Sequence, residues 1–135
     1  MKKISALPFK FVLDYLYPKE PAIKPMFGCY ALYLDRKIVL VLRKRKIHPE
    51  ANGVWLATSR EHHDSLKRMF PSMRSIGMLG EPPTNWQVLP ESSSDFESSV
   101  IKACELIVKG DPRIGRIPKS RAQRHKTEKR SVRRP

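Results

Sequence analysis

Ile38-Val39-Leu40-Val41-Leu42 is an unbroken apolar run with charged residues on either side. Its β-branched residues favour an extended backbone, and a run without polar alternation fits a strand covered on both faces. Upstream, Pro25 to Leu34 is rich in aromatic side chains and has no helical period, so it reads as a second strand. Asp35-Arg36-Lys37 between the two makes a short turn, and a hairpin follows. With the turn centred on Arg36, position 43 lies across from about 29 and position 46 from about 26. The basic run Arg43-Lys44-Arg45-Lys46 therefore comes to rest beside Met26–Cys29.

A hairpin alone is marginal in water and needs further strands or helices to cover it. Before it, Ser5 is a plausible N-cap and Pro8 suits a first helical turn; Phe9, Val12, Leu13 and Leu16 then form one face, predicting a helix over Ala6–Tyr17 that Pro18 closes. After it, Val54-Trp55-Leu56-Ala57 reads as a third strand. Thr58 and Glu61 have capping-box spacing ahead of a helix with Leu66, Met69 and Phe70 on its apolar face, stopped by Pro71. Met73–Leu79 and Trp86–Leu89 read as two more strands joined by a turn-rich link. Ser94 and Glu97 form a second capping box, and Phe96, Val100, Cys104, Ile107 and Val108 define a last amphipathic helix closed by Gly110 and Pro112. The expected order is α-β-β-β-α-β-β-α. This is an α+β fold, a largely antiparallel sheet with helices packed on it.

Charge divides the chain. Of 135 residues, 27 are Lys or Arg and 13 Asp or Glu, a net charge of +14. Residues 113–135 carry ten of the basic groups (Arg113, Arg116, Lys119, Arg121, Arg124, Lys126, Lys129, Arg130, Arg133 and Arg134) against the single acid Glu128, a net of +9. Past Ile117 the one sizeable apolar side chain in that stretch is Val132, too little to offset the entropy of ordering. The expectation is a compact domain over residues 1–112 followed by a disordered basic tail over 113–135. Such a tail can neutralise phosphates and release counterions, giving nonspecific, salt-dependent binding to nucleic acid or another polyanion. It holds no aromatic residue, so any base stacking must come from the domain.

Within the domain, Arg43, Lys44, Arg45 and Lys46 alternate in direction if the strand continues, so both sides of it cannot be core. Two readings compete: a solvated strand end that discourages edge pairing, and a phosphate-contacting patch. Gly28 is either a bulge or close-packing position within a strand, or backbone left open to a ligand. Cys104 lies on the apolar face of the last helix and reads as a buried thiol. Cys29 has no histidine tied to it, as a nucleophile would require. His62 and His63 are adjacent on a helix, about 100° apart, and cannot face one metal as a pair one turn apart could. Glu61 and Asp64 beside them add only a faint metal signal. No paired carboxylates, phosphate-binding glycine fingerprint or apolar span of roughly 20 residues appears. The chain is read as non-catalytic and cytoplasmic, with no metal, cofactor or membrane partner.

Lys24-Pro25-Met26-Phe27-Gly28-Cys29-Tyr30-Ala31-Leu32-Tyr33, together with the element order, resembles the TfoX N-terminal domain family. In that family a Met-Phe-Gly-Gly-Tyr-Gly signature precedes a hydrophobic hairpin within an α+β sandwich. Met26, Phe27, Gly28 and Tyr30 match, while Cys29 and Ala31 stand where glycine is usual, and Asp35-Arg36-Lys37 lacks the Asp-Gly common at the turn. The element order agrees from about residue 5 to 112 and the motif over about six positions. The resemblance implies the fold and no catalytic residues. Some members regulate competence and carry a second, C-terminal domain; a basic tail stands in that place here, so that role does not carry over. The leading functional expectation is a small non-catalytic module whose tail binds nucleic acid. The alternative is a protein-interaction adaptor or regulatory module whose tail is incidental. A third is an enzyme built on Cys29 or on His62 and His63.

Overall fold

The computed structural model describes residues 7–76 and 85–117. Among them the order is α1 (Phe11–Leu16), β1 (Ala22–Met26), β2 (Cys29–Leu34), β3 (Lys37–Arg43), β4 (Gly53–Leu56), α2 (His63–Met69), β5 (Arg74–Ser75), β6 (Gln87–Pro90) and α3 (Phe96–Lys109). Short 3-10 turns lie at Pro49–Ala51 and Arg60–His62. The six strands form one antiparallel sheet in the order β1-β2-β3-β4-β6-β5. The fold is α+β, as the residue pattern predicts.

The apolar run becomes β3 near the middle of the sheet, buried from Ile38 onward. It pairs with β2 in the expected register: Tyr30 lies opposite Leu42 and Leu32 opposite Leu40. The register then slips by one, Tyr33 facing Ile38, which leaves Val39 as the extra residue of a bulge. The bulge turns both Val39 and Leu40 toward the helical side of the sheet.

Upstream, the single expected strand over Pro25–Leu34 is two strands. Met26 pairs with Cys29 across a two-residue turn made by Phe27 (φ 51°) and Gly28 (φ 78°). Two positive φ values in succession are the type I′ geometry, whose twist matches a hairpin. Gly28 is thus neither a bulge nor an opening for a ligand within a strand; it is the second turn residue. Proline at position 25 conceals β1 in the sequence, yet β1 is an edge strand, where a missing N–H is tolerated. The opposite edge, β5, has only two residues. A proline on one edge and a short strand on the other limit pairing with further chains.

All three described helices contribute to the core on one side. Val12 and Leu16 of α1, Leu66 of α2, and Val100, Ala103, Cys104 and Ile107 of α3 join Leu32, Leu40, Leu42, Val54, Leu56 and Leu89 of the sheet. The other side holds Cys29, Ala31, Val41, Trp55, Ala57 and Val88 in a second cluster, flanked by Met26, Tyr33 and Trp86. Trp55 and Trp86 meet edge to face at 6.0 Å there.

Several boundaries differ from expectation. The first helix begins at Phe11 instead of Ala6, because Phe9 has φ 55° and breaks the helical backbone; Ser5 lies outside the described residues. Thr58 does not cap a helix: it is buried, and its hydroxyl has no hydrogen-bond partner among the described residues. Nor does α3 receive a side-chain cap from Ser94; its N-cap position is Asp95. Its end is as expected, with Gly110 at φ 79° in a Schellman arrangement: the Gly110 N–H donates to Ile107 O and that of Asp111 to Leu106 O. Of the expected strand over Met73–Leu79, Arg74 and Ser75 form β5, Met73 and Ile76 flank it outside the strand, and 77–79 lie outside the described residues.

The largest revision concerns the domain boundary. Residues 113–117, expected in a disordered tail, belong to the fold. Ile114 is buried in the helical-side core. Arg116 pairs with Ile38 through reciprocal backbone hydrogen bonds of 2.9 and 3.0 Å, and the Gly115 N–H donates to Ala57 O at 2.7 Å. β4 ends at Leu56, so this segment occupies the place beside β3 that β4 has left.

Arg113 fastens the approach to that segment. Its guanidinium donates to both carboxylate oxygens of Asp111, at 2.8 and 3.0 Å, and to Ser65 Oγ at 3.1 Å. These hydrogen bonds, opposed by burial, hold the Asp111 carboxyl below its ordinary 3.8, at about 2. A depressed carboxylate stabilises the fold above its unfolded pKa, and that stability is lost as pH falls through the folded value. We therefore expect acid unfolding to draw on Asp111 between pH 3.8 and about 2. In thermal melts across that window, Asp111→Asn is expected to flatten the pH dependence, leaving the part that belongs to Asp95, whose carboxyl is also lowered by the Ser93 hydroxyl. An unchanged slope would place the acid sensitivity elsewhere.

Candidate nucleic-acid interface

The basic run at the end of β3 does not continue as a strand, and its four members separate. Arg43 turns inward and is only 1% exposed. Its Nη1 donates to His48 O at 2.7 Å and to Asn52 Oδ1 at 2.8 Å, and its Nη2 to Ile47 O at 2.7 Å. A buried cation is tolerable only when its donors are satisfied, and here carbonyl and amide oxygens do this. Arg43 is therefore an internal tie for the 44–52 loop. It does not present its charge to solvent.

Asn52 completes the arrangement. Its Oδ1 also accepts from the Arg45 N–H at 2.9 Å, and its Nδ2 donates to Arg45 O at 2.8 Å. One side chain thus satisfies both backbone groups of Arg45 while it meets the Arg43 guanidinium. Asparagine has the necessary acceptor and donor on one amide. Nothing local in the sequence marks Asn52 for this task, since the partner backbone lies seven residues away.

The three remaining basic residues are exposed. Lys44 is ion-paired with Glu91. The Arg45 guanidinium lies over the β1–β2 turn, with Nη1 3.3 Å from Phe27 O. A Cβ on Gly28 would stand 2.6 Å from the same Nη1, so glycine here serves both the turn and the close approach of Arg45. Lys46 follows, then Ile47, which is 58% exposed. Phe27 at the turn is 89% exposed. The juxtaposition of positions 43–46 with 26–29 is as the hairpin register predicts; the exposed aromatic at its tip is not.

Of the ten basic residues of the tail, Arg113 is committed to Asp111 and Ser65, and Arg116 holds Nη1 3.5 Å from Thr58 O. Lys119, Arg121, Arg124, Lys126, Lys129, Arg130, Arg133 and Arg134 lie outside the described residues.

The thiols sit in different surroundings. Burial pushes Cys104 up to about 12, with Glu105 adding in the same direction. Burial also raises Cys29, although the charges of Arg43 and Arg45 pull against it. Both thiols are buried, which disfavours the thiolate. His62 faces Glu61 at 3.5 Å while His63 Nε2 is 3.3 Å from Asn85 O, so the two rings have different neighbours. Among the described residues, no group of three or more His, Cys, Asp or Glu could hold a metal ion. No described helix is long and apolar enough to cross a membrane.

At the other end of β2, a pocket of about 330 Å³ opens between the β2–β3 turn and the end of α3. Leu34, Val39, Ile107 and Ile114 give it an apolar floor, with Lys19, Arg36 and Lys37 at its rim. No family model, curated protein or solved structure matches the chain.

Proposed function

We propose that the protein is a small non-catalytic module, resembling TfoX N-terminal domains, that binds nucleic acid through its basic C-terminal segment. The observation that carries this reading is the concentration of +9 in residues 113–135, against +5 in the 112 residues before them. With Arg113 and Arg116 engaged by the fold, eight basic residues from Lys119 to Arg134 remain, opposed by Glu128 alone. A net charge this dense attracts a polyanion and makes affinity fall with salt, independent of base sequence. The family resemblance rests on Met26, Phe27, Gly28 and Tyr30 and on the element order.

The test is a salt titration on the full-length chain against random-sequence duplex and single-stranded DNA and RNA. The comparison protein carries glutamine at the eight basic positions from Lys119 to Arg134. Wild type is expected to show a log–log salt slope of several units, about 0.7–0.9 per phosphate contacted, most of it lost in the neutralised variant. Absence of salt-dependent binding by wild type at low ionic strength would refute the reading. A protein captured stoichiometrically by both proteins alike would favour the adaptor alternative.

A further inference from the structure

We propose that the β1–β2 hairpin tip is a stacking site for a single-stranded base, with Phe27 as the platform and Arg45 and Lys46 as contacts for the adjoining phosphates. The proposal rests on the nucleic-acid reading above and locates on the folded domain what the tail, lacking aromatic residues, cannot supply.

The first observation is the residue at the turn. The two central positions of a type I′ turn need positive φ and favour Asn-Gly or Gly-Gly. Phe27 adopts φ 51° there, and a bulky aromatic in the left-handed region is an outlier. Its side chain recovers nothing from the core, since it is 89% exposed. An aromatic ring is thus held where it opposes the turn geometry and faces solvent. Such an outlier is a reason to look for function.

The second observation is independent of the turn. Asn52 clamps the backbone of Arg45, and buried Arg43 ties down the loop around it, so the Arg45 guanidinium is directed over Gly28. No ion pair among the described residues engages Arg45 or Lys46, whereas neighbouring Lys44 has Glu91. A guanidinium beside an exposed ring, with the exposed Lys46 next in the chain, matches the alternation of phosphate and base along a single strand. In a duplex the bases are stacked on one another and offer no face to a protruding ring, so the site selects unpaired strands. Every base has a π face, so no sequence preference follows.

The experiment measures binding of full-length protein to fluorescein-labelled oligo(dT) and oligo(rU), to a duplex of equal length, and to phosphatidylserine vesicles. Two substitutions separate binding from folding. Phe27→Asn creates the favoured Asn-Gly turn and is expected to hold or raise the melting temperature while lowering single-strand affinity about ten-fold. Phe27→Trp enlarges the platform and is expected to keep or increase that affinity. Duplex binding, which belongs to the tail, should stay unchanged in both. Arg45→Ala should lower the single-strand salt slope by about 0.7. Equal single-strand affinity of wild type and Phe27→Asn would overturn the proposal and leave the tail reading standing. A Phe27 effect seen with vesicles but not with oligonucleotides would also overturn it, assigning the tip to a lipid surface. Loss of all nucleic-acid binding by wild type would remove both.

Discussion

Gly53→Ala is expected to destabilise the protein by about 3 kcal/mol or more, a large share of the stability of a small domain. Gly53 opens β4 with φ 142°, a backbone conformation strained for any residue with a Cβ. Its surroundings are still less permissive. A Cβ added there would stand 2.1 Å from Leu89 O and 2.9 Å from the Glu91 N–H, and both are backbone atoms. Backbone held by a neighbouring strand cannot step aside as the end of a side chain can. Gly53 pairs with Arg43 of β3 on one side and Pro90 of β6 on the other, so any shift spreads into three strands. Urea denaturation of Gly53→Ala beside Gly110→Ala is the informative comparison. Position 110 has positive φ but open space around its Cβ, so its cost is expected to be that of φ alone, about 1 kcal/mol. Equal losses at the two sites would show that the Leu89 carbonyl yields.

Arg43→Met is expected to cost about 3 kcal/mol. Methionine fills part of the volume but leaves Ile47 O, His48 O and Asn52 Oδ1 without their guanidinium donors. Arg43→Lys keeps the charge without the planar fork and is expected to recover only part of this. The substitution also has a local signature. Hydrogen exchange at the Arg45 amide, which donates to Asn52, should accelerate well beyond the change in global stability. A loss under about 0.5 kcal/mol would mean the loop is held without Arg43, since ordinary surface changes fall within that range.

The strands nearest the apolar run were legible because their signals are local. Ile38–Leu42 has no plausible fate outside a sheet, and a short turn before it sets the register that puts position 43 beside 29. The bulge at Val39 was not legible, for nothing in a continuous apolar run marks where one residue is extra. Pro25 hid β1, since edge position, which makes proline acceptable, is a property of the assembled sheet. Arg43 illustrates the same limit for the candidate interface. Four basic residues in succession read as a surface, and only the carbonyls that the 44–52 loop brings round make one of them an interior group. Ile114 was masked by the charged residues around it, although a lone isoleucine among cations is itself a hint of docking.

The pairing of Arg116 with Ile38 also orders events in time. The β2–β3 hairpin closes over a few residues and can form as soon as it is synthesised. Its partner in the slot beyond Leu56 lies 78 positions later in the chain. Contacts so distant in sequence carry a large loop-closure penalty and tend to form late. Until residue 116 has been made, the start of β3 lacks its neighbour and Ile114 its place in the core, so the sheet stays open there. Residues 114–116 therefore act as the closing stitch of the fold.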